Sequence, residues 1–524
     1  MGKGIASASI GAILKAAGFK VFTVKMDPYL NPDPGTMSPF QHGEVFVTDD
    51  GYEADLDLGH YERFIDEPLS RESNLTTGQI YQKILAEERK GNFLGKTIQV
   101  VPHVTDKIKE FIFRAAKKSK ADFLLVEIGG TVGDIEGEPY LEAGRQIHHE
   151  LGDARVMFIH LTLLPYLKAS NELKTKPTQM SVKELQSRGI HPDMILARSD
   201  YRIGRELLDK IAMFCDVRPE AVIPAPTIAS IYEVPINFEK FNISKIILQK
   251  FGLLISRPKM KSWIDLAKKI KGEDGREITI AKVGKYTAHG DAYISVDEAL
   301  KAAGFENKAK IKIVAVDSEK LEDNDKDEWR VLKAADGILV PGGFGKRGVE
   351  GKILAAKFAR ENKIPYLGLC LGMQILTIEF ARWCLKTKDA NSEEFDEKTK
   401  NPVIHIMKEQ KKKMAESNFG ATMRLGAYPC VLVKNSKSFA VYGTLKVSER
   451  HRHRFEFNND YRERLEKGGL VIAGVSPDKK LVEIVEIKNH PWMVGVQFHP
   501  EFKSRPFRAH PLFRGFVKAC VKKK

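Results

Sequence analysis

The chain is expected to form two α/β units, each built on a largely parallel sheet, and three observations carry that expectation. Apolar runs of strand length alternate with helical patterns, which is the signature of parallel strands joined by crossover helices. Several of those runs end in glycine-rich turns, where open sheets place their ligands. A polar, proline-bearing stretch from Ser256 to Arg276 separates two such patterns. In order, the first unit reads as a helix from Ile5 to Ala17, a strand from Lys20 to Lys25, a long loop, a helix around Ala115, the strand Phe123 to Glu127 and an apolar run from Val156 to Leu164. The second opens with the strand Ile278 to Val283 and continues with Ile338 to Val340, Ile364 to Leu369 and Trp492 to Gln497. The charged stretch Lys386 to Lys413 has little periodicity and reads as loops with at most short helices. The expected division is therefore 1–255, a linker over 256–276, and 277–524.

At 524 residues the chain is too long for one ordinary domain. Its 43% hydrophobic and 29% charged content is that of a globular protein, and no apolar run approaches a membrane-spanning length. The early alanine-rich run is interrupted by Lys15, so it fits an amphipathic helix better than a signal peptide. Met1-Gly2 is not read as a myristoylation start, because Ala6 stands where Ser or Thr is wanted. Five cysteines, at 215, 370, 384, 430 and 520, have neither metal-ligand spacing nor an even number for pairing, so a reducing cytoplasm is expected. The net charge of +15 attracts anions without choosing among them. Much of it is dispersed lysine, such as Lys411 to Lys413 and Lys522 to Lys524, which solvates a surface; neither nucleic acid nor membrane is expected as a partner.

The run Pro365 to Gln374 holds one cysteine, Cys370, at a strand-to-helix turn. A buried packing cysteine would not need Gly368 and Gly372 on either side of it, whereas a closely approached nucleophile would. The following helix aims its N-terminal N–H groups and positive dipole end at the sulfur, favouring thiolate. A later strand ends just before His499-Pro500-Glu501, which brings a base and its orienting carboxylate to the same sheet edge. The strand ending in Pro341-Gly342-Gly343-Phe344-Gly345 offers N–H groups for an oxyanion. These three motifs resemble those of class I glutamine amidotransferase domains, with a flavodoxin-like sheet. The resemblance implies a Cys370, His499, Glu501 triad with an oxyanion hole from Gly343 and Leu371.

In the first half, Val126 to Glu136 places acidic groups and glycines at the end of a buried strand, where phosphate and hydrated Mg²⁺ could meet. A second acidic cluster, Glu53 to Phe64, could supply a partner carboxylate. Lys174-Thr175-Lys176-Pro177-Thr178-Gln179 could grip a triphosphate or be a plain surface charge run. The run Glu449 to Glu456, ERHRHRFE, could line a pocket or form a nucleic-acid patch. Taken together, KMDPYLNPDPGTMSPFQHGEVFVTDDG (Lys25 to Gly51), DLDLGHYERF, VEIGGTVGDIE, KTKPTQ, VPGGFGKRGVEGK, GLCLGMQ, ATMRLGA, ERHRHRFE and QFHPEF resemble the CTP synthase family across essentially the whole chain.

That resemblance implies a phosphate-loop-type parallel sheet domain that phosphorylates O4 of UTP with Mg-ATP, and a glutaminase domain that supplies ammonia to give CTP. It implies ATP contacts from Gly2, Lys3, Gly4, Ile5, Lys25 and Asp57, with Mg²⁺ on Asp57 and Glu127. It implies UTP, and CTP as feedback inhibitor, on Asp134, Ile135, Glu136, Lys174, Thr175, Lys176, Pro177, Thr178, Gln179 and Lys210. L-glutamine would lie against Gly343, Leu371, Gly372, Met373, Gln374, Glu394 and Arg454. GTP activation is implied too, with Arg424 on the responding loop, as are a homotetramer and the capacity for filaments. The family places a strand and a glycine- and serine-rich loop ahead of Gly2-Lys3-Gly4, so weak ATP binding, or a start further upstream, is expected. Two competing readings are an amidotransferase of cobyrinic-acid type, against which KTKPTQ and GEVFVTDDG count, and a truncated synthase with only glutaminase or filament-forming capacity.

Overall fold

A computed structural model describes residues 2–272, 275–285, 290–407 and 423–523. It divides into two compact units, 1–33 with 57–271, and 34–56 with 272–524. Lys411 to Lys413 and the first two residues of ATMRLGA lie outside the described residues.

The first unit opens with α1 (Lys3–Ala16), an alanine-rich helix whose Ala6, Ala8, Ile10, Ala12, Ile13 and Leu14 are buried. There follow β1 (Val21–Asp27), α2 (Asp57–Ile65), β2 (Asn74–Thr76), α3 (Thr105–Ser119) and β3 (Phe123–Ile128). These strands form a parallel sheet of order β2-β1-β3, in which Lys25 stands opposite both Asn74 and Glu127. After α4 (Glu138–Leu151) come β4 (Ile159–Leu163), α5 (Lys176–Ser187), β5 (Met194–Ser199), α6 (Arg205–Cys215) and β6 (Val222–Pro226). They form a second parallel sheet of order β6-β5-β4. One sheet was expected and two three-stranded ladders are found, because β3 and β4 each pair on one side only. The connector read as a linker carries a helix, α7 (Lys261–Lys271). Its Trp263 and Leu266 are buried, and Trp263 packs on Phe64 at 5.4 Å between ring centres.

The second unit is organised by a nine-stranded sheet. Its strands are β7 (Arg276–Gly284), β8 (Ala309–Asp317), β9 (Gly337–Val340), β10 (Tyr366–Leu369), β13 (Arg424–Leu432), β14 (Lys446–His453), β16 (Leu470–Val475), β17 (Val482–Ile487) and β18 (Met493–Val496). Their order is β8-β7-β9-β10-β18-β17-β16-β13-β14, parallel through β18 and antiparallel beyond it. The three central parallel strands, β9, β10 and β18, are short, apolar and wholly buried, as strands covered on both faces must be. Helices α8 (Ile294–Asn307), α9 (Val349–Glu361), α10 (Leu371–Cys384) and α11 (Pro511–Lys523) flank the sheet, with separate apolar cores built on Ala355, Ile375 and Ile378 and on Leu300, Phe513 and Phe516. The stretch expected to be loops contains β11 (Ala390–Ser392) and β12 (Asn401–Ile406), paired in a small sheet with β15 (Phe455–Phe457). Few residues of this stretch are buried, among them Ala390, Ser392, Phe395, Val403 and Ile404, which leaves room for its many charges.

Candidate active site

Strands β9, β10 and β18 are adjacent and parallel, so their carboxyl ends deliver Pro341 to Gly343, Cys370 and His499 to one edge. Cys370 takes φ 51° and ψ −101°, a conformation that L residues seldom adopt, and it is buried. Such strain persists only where the surroundings impose it. The turn closes through the Cys370 N–H, which donates to the Val496 carbonyl at 2.7 Å. The glycines beside it are obligatory: a Cβ on Gly368 would lie 2.4 Å from the Gly372 carbonyl oxygen, and one on Gly372 would lie 2.1 Å from that of Val340.

His499 Nδ1 and Glu501 Oε1 are 2.7 Å apart, and the imidazole stacks on Phe502 at 5.2 Å. Burial alone would lower its pKa, but the Glu501 carboxylate and the Cys370 sulfur reverse the effect and raise it to about 10. The ring therefore carries its proton at neutral pH. Nε2 is buried and makes no regular hydrogen bond among the described residues.

Gly342, which sequence reasoning did not single out from its motif, lies against this pair. A Cβ there would lie 2.7 Å from His499 Cε1 and 3.6 Å from Cys370 Cβ. Because the ring is held by Glu501 and Phe502, it can yield only by leaving its place. Gly342→Ala should lower the expected glutamine hydrolysis on the order of 100-fold while sparing the expected synthesis from added ammonia. Steady-state assays with each nitrogen source check this, and unchanged glutamine hydrolysis would contradict it. Gln497 was also passed over; its Nε2 lies 3.7 Å from the Cys370 sulfur and its Oε1 accepts from Gln374 Nε2 at 3.4 Å. Its place in QFHPEF, two residues before the base, was the available signal.

The other expected glutamine contacts are distributed around this edge. Leu371 and Gly343 are neighbours, with Leu371 Cδ2 3.5 Å from where a Gly343 Cβ would sit. Met373 packs beneath Gly495, and Gln374 donates to the Phe455 carbonyl at 3.1 Å. Glu394 Oε1 accepts the Gly345 N–H at 2.7 Å; burial raises its pKa, opposed by that bond and by Lys285 and Lys352. Arg454 is half-buried. The rest of ERHRHRFE does not present a basic surface: Arg450 pairs with Asp49 at 2.5 Å, Arg452 with Glu53 at 2.8 Å, and His451 and His453 are buried with lowered pKa. Arg424, expected on a loop, begins β13, where antiparallel pairing with β14 and the buried Glu483 carboxylate at 2.8 Å hold it.

Lys352, in the first turn of α9, is 2% exposed, and its ammonium group makes no hydrogen bond or ion pair among the described residues. Burial first, and Lys285 second, lower its pKa to about 8 against the pull of Glu322, Glu319 and Glu394. Below pH 8 the folded chain bears the full cost of burying this charge, about 3 kcal/mol; the cost disappears as pH rises from 8 towards the ordinary lysine value. Lys352→Met should therefore raise stability to urea at pH 7 by an amount of that order, and by much less at pH 10. An equal gain at both pH values would contradict this account.

In the first unit, Lys25 Nζ contacts the Asp57 carboxylate and lies 3.6 Å from both Asp27 Oδ1 and Glu127 Oε1. Register explains the grouping, since Lys25 and Glu127 are opposed on β1 and β3 and Asp57 heads α2. Asp57 can lie against the first turn of α1 only because residue 4 is glycine; a Cβ there would be 1.8 Å from Asp57 Oδ1. Lys3 donates to the Gly130 carbonyl, and its pKa is lowered by burial and by Lys25, against Glu127, Asp57 and Asp134. Gly2, the N-cap of α1, takes φ 94°, and Ile5 is half-buried. Three carboxylates against two ammonium groups, with Glu127 Oε1 buried and making no hydrogen bond among the described residues, suit a hydrated divalent cation. No group of three or more metal-ligating side chains stands ready among the described residues. Mg²⁺, which keeps its waters and is held by one or two carboxylates and substrate phosphates, does not need one.

Of the expected pyrimidine-nucleotide residues, Asp134 accepts the Thr131 N–H at 2.7 Å, Ile135 is 85% exposed, and Glu136 follows on the same short turn. Thr175, Thr178 and Gln179 are buried around the start of α5, where Lys176 and Pro177 form its first turn. Lys174, with Ser170 and Lys210, holds the Glu172 carboxyl below its ordinary range. His160 was overlooked: it meets Ser181 at 2.9 Å, and burial together with Lys3 lowers its pKa to about 4.

Comparison with known proteins matches residues 1–253 to the family model "CTP synthase N-terminus" and residues 288–519 to "Glutamine amidotransferase class-I". The chain is 55% identical to the CTP synthase of Caldanaerobacter subterraneus subsp. tengcongensis, over 99% of this chain and 96% of that one. It is 56% identical to the CTP synthase of Symbiobacterium thermophilum, again over 99% and 96%. The solved glutaminase domain of the Trypanosoma brucei enzyme, with bound acivicin, is 42% identical and covers 47% of this chain and 95% of its own, with a TM-score of 0.44. Among the described residues, no helix is long and apolar enough to cross a membrane.

Proposed function

This chain belongs to the CTP synthase family, and from that premise we propose how its residues divide the conversion of UTP, ATP and glutamine into CTP. The observation that carries the proposal is the meeting of Cys370, His499 and Gly342 at the carboxyl ends of three neighbouring parallel strands.

The Cys370 thiolate attacks the γ-amide carbon of glutamine, forming a C–S bond while the carbonyl π electrons move to oxygen. The N–H groups of Gly343 and Leu371 receive that oxyanion. As the tetrahedral intermediate collapses, the C–N bond breaks and the His499 imidazolium gives its proton to the departing nitrogen, releasing ammonia. The neutral imidazole then takes a proton from water, whose oxygen displaces the sulfur and yields glutamate. Glu501 keeps the ring oriented throughout and stabilises its charged form. Arg454 and Glu394 recognise the amino-acid end of the substrate.

In the other unit a pyrimidine carbonyl must be made into a leaving group. O4 of UTP attacks the γ-phosphorus of ATP and ADP departs; ammonia then adds at C4 and phosphate leaves. Lys3 and Lys25 balance the charge on the phosphoryl group in flight, and Gly2, Gly4 and Ile5 hold ATP beside them. Asp57 and Glu127 would hold Mg²⁺, which when bound draws electron density from the phosphate oxygens. Asp134 to Glu136, Lys174 to Gln179 and Lys210 hold UTP, and CTP competes there through the same triphosphate. GTP acts as activator, and a homotetramer is the working assembly. The units are read as 1–255 and 277–524, with 34–56 completing the second.

The test is CTP formation by the full chain from UTP and ATP, with either glutamine or ammonium as nitrogen source. Both should support synthesis; glutamate release without CTP from either source would overturn the proposal.

A further inference from the structure

The loop after β9 is gripped at one peptide plane from two sides. The carbonyl of Phe344 accepts from Lys285 Nζ, and the N–H of the same peptide, on Gly345, donates to Glu394 Oε1 at 2.7 Å. Lys285 reaches it because β7 ends one residue earlier and pairs alongside β9, so both strands release their chains at the same sheet edge. Glu394 arrives from the opposite direction, two residues beyond β11. Gly345 has φ 81°, so the chain reverses immediately after the gripped peptide, and a Cβ there would stand 3.7 Å from Lys285 Nζ. A peptide held by a cation at its oxygen and an anion at its nitrogen cannot rotate without losing both charge-assisted bonds.

We propose that Lys285 is a positioning residue for glutamine hydrolysis: together with Glu394 it clamps the Phe344–Gly345 peptide plane, and so holds the Gly343 N–H, two peptide planes back along the same loop, where the oxyanion forms. This rests on the roles given above to Cys370 and Gly343. The charged surroundings agree with it. Glu394 and Glu319 favour the charged form of Lys285 against burial and Arg347, and the Gly345 N–H, Lys285 and Lys352 favour the charged form of Glu394 against burial. An N–H aimed at a developing oxyanion acts on the transition state more than on bound substrate. Loss of the clamp should therefore reduce kcat rather than raise KM.

The experiment compares Lys285→Met and Lys285→Arg in the full chain. For Lys285→Met we expect glutaminase kcat to fall at least about tenfold, KM for glutamine to stay within about twofold, and Cys370 alkylation by iodoacetamide to proceed at the wild-type rate. Lys285→Arg should recover most of the lost kcat. A raised KM with kcat preserved would make Lys285 a substrate contact and overturn the inference, as would no change in either constant. Loss of alkylation as well as kcat in both variants would mean only that the sheet edge is disturbed, and would also overturn it. Cys370→Ala, assayed alongside, separates the two levels: if it still hydrolyses glutamine, the reading of the site itself fails, and if it is inactive while Lys285→Met is normal, only the clamp fails.

Discussion

Replacing Cys370 by alanine should abolish glutamine-dependent CTP formation, by more than about 10⁴-fold, and leave synthesis from added ammonia close to wild type. The substitution removes the sulfur and little else. Alanine at this position still has to adopt φ 51°, and the turn remains closed by the bond to Val496 and by close-packed glycines. The second unit should therefore keep its fold, and the Lys25, Asp57 and Glu127 cluster belongs to a different unit altogether. Paired assays decide the matter, the ammonia arm being run at alkaline pH so that free amine is abundant. Comparable loss of both activities in a folded protein would contradict two separate chemical sites.

Asp57→Asn and Glu127→Gln should have the opposite signature, suppressing synthesis from either nitrogen source by about 100-fold or more while glutamine hydrolysis survives. Each neutral amide removes one negative charge from a cluster whose ammonium groups, Lys3 and Lys25, remain. The cluster would then lose its net negative charge and hold more weakly the dication it is read to bind, and ATP would bind without its charge balanced. Titration of synthesis with Mg²⁺ checks this. An unchanged Mg²⁺ dependence in both variants would remove these carboxylates from the metal site.

The sequence made the chemistry of the second unit legible because that chemistry is written in short motifs. Cys370 with Gly368 and Gly372, and His499 two residues before Glu501, each state a local geometry that the structure contains. Gly342 was harder to see, since Pro-Gly-Gly gives no sign of which glycine must be bare; only the position of His499, which follows the distant strand β18, decides it. Lys285 was indistinguishable from the other dispersed lysines until β7 and β9 were known to be neighbours. The segment 34–56 reads as part of the first unit by chain order. It belongs to the second because Glu44 meets Ser295, Asp49 meets Arg450 and Glu53 meets Arg452, partners hundreds of residues away. The parallel strands of the first unit were legible from their apolar runs, but not their split into two ladders, which depends on which backbone edges meet.

The central claim is that one nitrogen atom passes from the glutamine amide, through cleavage at Cys370, to C4 of the pyrimidine. Incubating the full chain with UTP, ATP and glutamine labelled with ¹⁵N at the amide, and analysing the CTP by mass spectrometry, tests it most directly. The account predicts CTP carrying one ¹⁵N in its exocyclic amine with the native chain, and none with Cys370→Ala. Labelled CTP from Cys370→Ala, or unlabelled CTP from the native chain, would contradict it.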